Sequence, residues 1–423
     1  MEKLRKIWKT KSLRNSVLFV VGMLIVFRAA AHIPVPGIDT TILGRLLSEN
    51  EILGLLNVFS GGTISNFSLV MLGVAPYITA SIIFQLLNMV VPYFEELSKE
   101  GEMGQRKLSM YTRLTSVPLA MLQAFGLIKL LSQSDAGMFG DSLTTFKFVS
   151  TVITATVGTI FLMWIGELIT EKKIGNGISI LIFAGIVAAL PSTMQNLLVN
   201  YNPSEIYTYV LFLVVAVVTV VAVVFISEGQ RNVPVNYARS TGGGRGRAAR
   251  QSHLPLRINM AGVIPIIFAI SLVLFPPMVA QFFIQHTGFL GKMARLVVDL
   301  FNNQVFYGVL YFVLVFGFTY FYTAVIFKPK DIAENLQRQG GFIPGIRPGK
   351  QTEDYLNHIM GRLVFSGALF LAVIAILPLV LQAATGTQSL ALGGTGLLIV
   401  VSVAIDITRQ IDAQITMHEY DRV

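Results

Sequence analysis

The sequence contains no cysteine, which excludes disulfides and thiolate-bound metals and leaves the redox compartment unwritten. Charge is scarce too. Asp, Glu, Lys and Arg make up 13% of the 423 residues, against about a quarter in a soluble domain. Enzyme motifs are missing as well. Residues 345–351 (GIRPGKQ) lack the glycine spacing of a phosphate loop and the Ser or Thr that would follow its lysine. The glycine run at 242–246 follows no strand, so it is no dinucleotide fingerprint, and His418-Glu419 has no second histidine at zincin spacing. No catalytic residue, cofactor site or metal site is read, and any driving energy has to come from a partner or a gradient.

What is present is apolar sequence, 53% of the chain, arranged in long runs such as 17–33 (VLFVVGMLIVFRAAAHI) and 209–226 (YVLFLVVAVVTVVAVVFI). A run of about 18 or more mainly apolar residues spans a bilayer as a helix. Ten spans are expected, near 17–36, 69–91, 112–132, 148–170, 177–198, 207–227, 259–283, 305–327, 360–382 and 390–408. The basic start, MEKLRKIWKTKSLRNSV, looks like a signal-peptide n-region. The run after it is full length and lacks a small-x-small cleavage site, so it is read as the first span.

The basic residues fix an orientation. Of the 32 Lys and Arg, five (Arg45, Lys129, Lys147, Lys292 and Arg295) fall on one set of loops. Arg28 lies inside the first span, and all the others fall on the opposite set, which includes both termini. Basic loops stay cytoplasmic, so both termini are expected in the cytoplasm. The net charge of +9 is thus a topology signal and not a groove for DNA. Two basic, Gly- and Pro-containing cytoplasmic loops, about 228–258 and 328–359, are long for a compact bundle and read as docking surfaces.

Three places are irregular. Residues 52–68 (ILGLLNVFSGGTISNFS) are too polar to span, and Gly61-Gly62 breaks any helix there. They form an external loop or a re-entrant segment in a cavity, and composition favours the loop. The second span carries Pro76 and a polar line of Thr79, Ser81, Gln85 and Asn88; the seventh carries Asn259 and Pro265, where a kink is expected. Arg28 and His32 lie in the first span, Glu167 and Asp406 near cytoplasmic ends, and no carboxylate sits at mid-depth. That argues against an ion-coupled small-solute transporter, the main competing reading, as do the large basic loops. A lipid-modifying enzyme would need clustered His, Asp or Glu on one membrane face.

Seven segments, in order along the chain, resemble the SecY family of bacterial protein-translocation channel subunits. They are NVFSGG (57–62), GVAPYITASIIFQLL (73–87), EGEMGQRKLSMYTR (100–113), GNGISILIFAGIVAALP (175–191), HLPLRINMAGVIPIIFA (253–269), GGFIPGIRPGKQT (340–352) and GGTGLLIVVSVAID (393–406). The resemblance implies an all-α polytopic membrane protein of ten transmembrane helices in two five-helix pseudo-symmetric halves, residues 1–200 and 201–423, around a central pore. It makes 57–68 a re-entrant plug after helix 1, with Phe59, Ser60, Gly61, Gly62, Thr63, Ile64 and Asn66, which reverses the preference from composition. It places an apolar pore ring at Val74, Ile78, Ile182, Ile186, Ile267 and Ile399. Branched apolar side chains close around a chain of any sequence and dewet when it is absent.

A lateral gate to lipid is implied between helices 2–3 and 7–8, with Thr79, Gln85 and Asn259 as a polar latch. The basic loops would receive the SecA motor or the ribosome through Arg239, Arg245, Arg247, Arg250, Lys330, Arg347 and Lys350. Further implied partners are SecE, SecG, signal sequences, nascent polypeptides and membrane lipid. The implied location is the bacterial cytoplasmic (inner) membrane.

Overall fold

The computed structural model describes residues 8, 10–36, 43–44, 57, 60–134, 145–199, 206–237, 251–280, 283–284, 288–385 and 388–420. The chain is mostly helical. Helix α1 (Lys11–Ala31) packs on α5 (Thr145–Glu171) and α6 (Gly177–Val199), while α2 (Ala75–Val90) packs on α4 (Glu102–Ser134). Between them, α3 (Pro92–Lys99) leaves α2 at a bend of 98°. The bend falls at Val91, whose extended backbone (ψ 114) is the conformation that the adjoining Pro92 imposes.

Helix α7 (Ile206–Glu228) is rich in valine and presents Val210, Val214, Val217, Val218 and Val221 outward. Such a β-branched run is a weak helix former in water. In hydrocarbon it has no alternative, because every backbone polar group must be satisfied within the segment. After α7 come strands β1 (Gln230–Tyr237) and β2 (Gln251–Arg257), then α8 (Ile264–Ala280), α9 (Phe289–Asn302), α10 (Gln304–Ile326) and α11 (Pro329–Arg338). Strand β3 (Gly341–Phe342) and the long helices α12 (Lys350–Thr385) and α13 (Gln388–Tyr420) complete the chain.

Among the described residues six helices are long and apolar enough to cross a membrane, or seven if the bent α2–α3 pair counts as one span; α6 and α8 are apolar but shorter. The helices enclose one large buried cluster that runs from Val20 in α1 to Val403 in α13. Helix α8 is buried on almost every side, as a helix apolar all round should be. It touches α2, α4, α9 and α10, and α13 touches α6, α7 and α12.

Two expectations change here. The chain is not wholly α-helical, because its two long basic loops carry a three-stranded sheet in the order β2-β1-β3. In β1 the alternating Val233 and Val235 turn inward and meet Leu256, Leu336, Leu356, Ile359 and Met360 in a second core. The expected kink at Pro265 is also absent. Pro265 and Pro76 each occupy the first turn of their helix, α8 and α2, where the missing N–H is needed by no partner.

Candidate functional site

Val74 and Ile78 on or beside α2, Ile182 and Ile186 on α6, Ile267 on α8 and Ile399 on α13 are all buried in the main cluster. Two pairs of these helices, α2 with α8 and α6 with α13, are direct neighbours. The local sequence explains their placement. Asn176 caps α6 by accepting from the backbone N–H groups of Ile178 (3.0 Å) and Ser179 (3.3 Å), which fixes the phase at which Ile182 and Ile186 point inward.

A cavity of about 390 Å³ opens against this apolar layer, with Ile78 and Ile267 in its wall. The rest of its lining is mostly polar: Tyr77, Ser81 and Gln85 from α2, Arg113 from α4, Glu167 from α5 and Tyr322 from α10 contribute. Arg113 and Glu167 pair across it at 2.5 Å. The cavity has polar walls beside apolar Ile78 and Ile267; among the described residues no His, Asp and Glu group could hold a metal.

Part of the chain after α1 is also folded into the protein interior. Pro34 bridges to Ser68, and the N–H groups of Val35 and Leu69 donate to the carbonyls of Phe67 (2.9 Å) and Ile33 (3.1 Å). Ser60, Gly61, Thr63, Ile64, Phe67 and Ser68 are buried. Among its described residues, the stretch that composition read as an external loop is largely buried from Ser60 to Ser68, and it holds its non-helical backbone with internal bonds. The Thr63 hydroxyl donates to the carbonyls of Ser60 (3.1 Å) and Met71 (3.3 Å), and Gly62 N–H donates to the Asn57 carbonyl (2.7 Å).

Gly61 lies so near α6 that a side chain on it would come within 2.6 Å of Gly185 Cα. Arg28, whose partner the sequence does not name, donates from Nη1 to the Gly61 carbonyl at 3.2 Å. Asn66 Nδ2 donates to the Ala31 carbonyl at 3.5 Å. Phe59 lies outside the described residues.

Thr79, Gln85 and Asn259 do not hydrogen-bond one another. The Thr79 hydroxyl donates back to Ala75 (3.1 Å), Gln85 Nε2 donates to Ser81 (3.1 Å), and Asn259 closes a turn with Gly262 (2.9 and 3.3 Å). The α2–α8 seam is thus held by apolar packing, with Gln85 Oε1 buried and lacking a partner. On the basic loops, Lys330, Arg347 and Lys350 are exposed. Arg347 stands on a tight tip shaped by Gly345 (φ +80) and Gly349 (φ +96), with its carbonyl accepting from the buried Thr352 hydroxyl at 3.0 Å. Arg239, Arg245, Arg247 and Arg250 lie outside the described residues.

The SecY family profile matches residues 68–408. The chain belongs to the SecY family. It is 43% identical to protein translocase subunit SecY of Vibrio cholerae, over 97% of this chain and 94% of that protein. With the Escherichia coli subunit it shares 44% identity over 97% of this chain and 93% of the relative. Its fold resembles a solved protein-conducting channel with a TM-score of 0.61 at 18% identity, covering 93% of this chain and 90% of that one. A SecY structure concerned with the plug domain and the closed state gives 0.60 at 19%.

Several side chains of this SecY-family site were not found from sequence. The Arg28–Gly61 bond and the Arg113–Glu167 pair join residues far apart in the chain, and no local spacing announces either. Tyr77 and Tyr322, which no local pattern singles out, are brought together by the cavity.

Proposed function

We propose that this SecY-family chain is the central subunit of a protein-conducting channel. It passes unfolded secretory polypeptides across the membrane and releases hydrophobic segments sideways into lipid. The observation that supports this reading is the burial of six branched apolar side chains, on or beside four helices, in one hydrophobic cluster, two of which, Ile78 and Ile267, wall a mostly polar cavity. Such side chains hold no substrate by specific bonds and reseal behind any sequence.

The finer assignments rest on the same reading. Val74, Ile78, Ile182, Ile186, Ile267 and Ile399 form the pore ring. Residues 57–68 plug the outer funnel, a role supported by the burial of Ser60, Gly61, Thr63, Ile64 and Phe67 and by the Arg28 bond. The gate opens between α2 and α8, where Thr79, Gln85 and Asn259 tune the seam. The ten spans fall into halves 1–200 and 201–423. Both termini face the cytoplasm of a bacterial cell, and the protein resides in its cytoplasmic membrane.

Lys330, Arg347, Lys350 and the arginines at 239, 245, 247 and 250 meet the ribosome or the SecA motor, which supplies the energy, while SecE and SecG complete the complex. The chain catalyses no covalent chemistry itself. The test is transport after purification in mild detergent and reconstitution with whatever chains accompany it. With a translocation motor or translating ribosomes outside, a signal-bearing unfolded polypeptide is expected to become protease-protected inside the vesicles. No protection in vesicles that hold the whole assembly would overturn the assignment.

A further inference from the structure

Helix α9 presents an apolar face that the channel reading does not use. Phe289, Met293, Leu296 and Leu300 recur at spacings of four, three and four, so they form one stripe along the helix. They are 76%, 44%, 51% and 41% exposed. The opposite side is the one that meets protein: Gly291 and Ala294 are buried there, and α9 packs against α8 and α10. A third strip, Lys292, Arg295, Asp299 and Asn302, runs between the two and is exposed and polar. The helix thus has three faces, one for protein, one apolar and one for water.

The neighbouring helix α10 sets its depth. Asn303 alone separates α9 from α10, whose first turn it caps by accepting from the N–H groups of Val305 (3.0 Å) and Phe306 (3.2 Å). The backbone is extended at Asn303 (φ −74, ψ 112), so the two helices are distinct rods. Helix α10 is long and apolar enough to cross a bilayer, and Val305, Val309 and Val313 stand out from it. The end of α9 therefore enters the membrane boundary, and its exposed stripe continues the outward surface of α10.

We infer that α9 is an interfacial helix lying in the bilayer surface, with Phe289, Met293, Leu296 and Leu300 in the acyl region and its polar strip in water. Lys292 and Arg295 outnumber Asp299 on that strip, which suits anionic headgroups. A polar or water-exposed loop would not repeat four large apolar residues in helical phase. Because α9 touches both α8 and α10, its seating in lipid also steadies the outer end of the helix that carries Ile267.

The absence of cysteine makes the test direct. Leu296→Cys and Asp299→Cys are each labelled with a polarity-sensitive fluorophore in the full assembly reconstituted into vesicles containing phosphatidylglycerol. The Leu296 label is expected to be quenched several-fold more by nitroxide-bearing lipid than by aqueous iodide, and the Asp299 label the reverse. Equal iodide quenching at both sites would overturn the inference, since the stripe would then face water. Shielding of the Leu296 label from both quenchers would overturn it as well, because a protein partner would then cover the stripe. Neither result depends on transport, so the channel assignment stands or falls separately.

Discussion

In the proposed seal a single side chain is held to a strict requirement, since it must exclude water without bonding to what passes. Ile267→Asn buries an amide among apolar neighbours, at a cost of about 1–3 kcal/mol when unpaired. Water drawn in by that amide is expected to raise the resting ion conductance in planar bilayers and to lower the unfolding midpoint. Unchanged conductance would count against Ile267 as part of a seal. Arg28→Leu removes the bond to the Gly61 carbonyl; a charged hydrogen bond of this kind contributes about 1.5–3 kcal/mol. Residues 57–68 should then leave their seat more often, read as faster modification of a cysteine placed at Ser65 by an impermeant thiol reagent. Equal rates in both backgrounds would show that Arg28 does not hold the segment. The six proposed ring positions came from the family likeness of short motifs, because each branched residue by itself reads as ordinary packing; what the structure adds is that all six are buried. Arg28 stood out as a charge in a span, yet its partner was invisible, since a backbone carbonyl leaves no signature in the side-chain sequence.

Among the elements, each of the ten apolar runs overlaps a helix, and among the described residues six of the helices, or seven with the bent pair, are long and apolar enough to cross a membrane. Their ends were less readable. The second run was expected from 69, but α2 starts at Ala75, because Ser68–Val74 is drawn into turns that close the preceding segment. Pro265 was read as a kink because the helix was begun too early; the Asn259–Gly262 turn delays it to Ile264. The sheet was missed since Pro234, Pro255 and the glycines nearby suggested loop, although Val233, Val235 and Tyr237 alternate as a strand does. Asn259→Leu opens that turn at the foot of α8. The start of α8 is expected to shift, and disulfide trapping between cysteines placed at Ser81 and Ile264 should change in rate. An unaltered trapping rate, with an unaltered signal-sequence threshold, would remove Asn259 from the gate.

For the whole molecule, the alternation of basic and neutral loops was the most legible property, because it depends on counting and not on packing. It left unread how the two basic loops combine. The structure joins them through the β2-β1-β3 sheet and its small core, so contacts distant in sequence act as one surface. Arg347→Glu is expected to abolish binding of the cytoplasmic partner while thermal stability stays unchanged, since this side chain is exposed. Binding of a polyanionic partner such as ribosomal RNA should also weaken steeply with salt. Equilibrium binding of ribosomes and motor across a salt series separates these effects, and wild-type affinity in Arg347→Glu would move the docking surface elsewhere.

Helix α12 runs without interruption through 36 residues, about 54 Å at 1.5 Å per residue, while hydrocarbon accounts for about 30 Å. Its surplus length is where Leu356, Ile359 and Met360 clasp the sheet, so the helix works as a lever with its handle among the basic loops. Its far arm lies against α10 and α13, the latter bearing Ile399. A force applied at that handle can therefore be passed to the helix that bears Ile399 without reaching into the membrane.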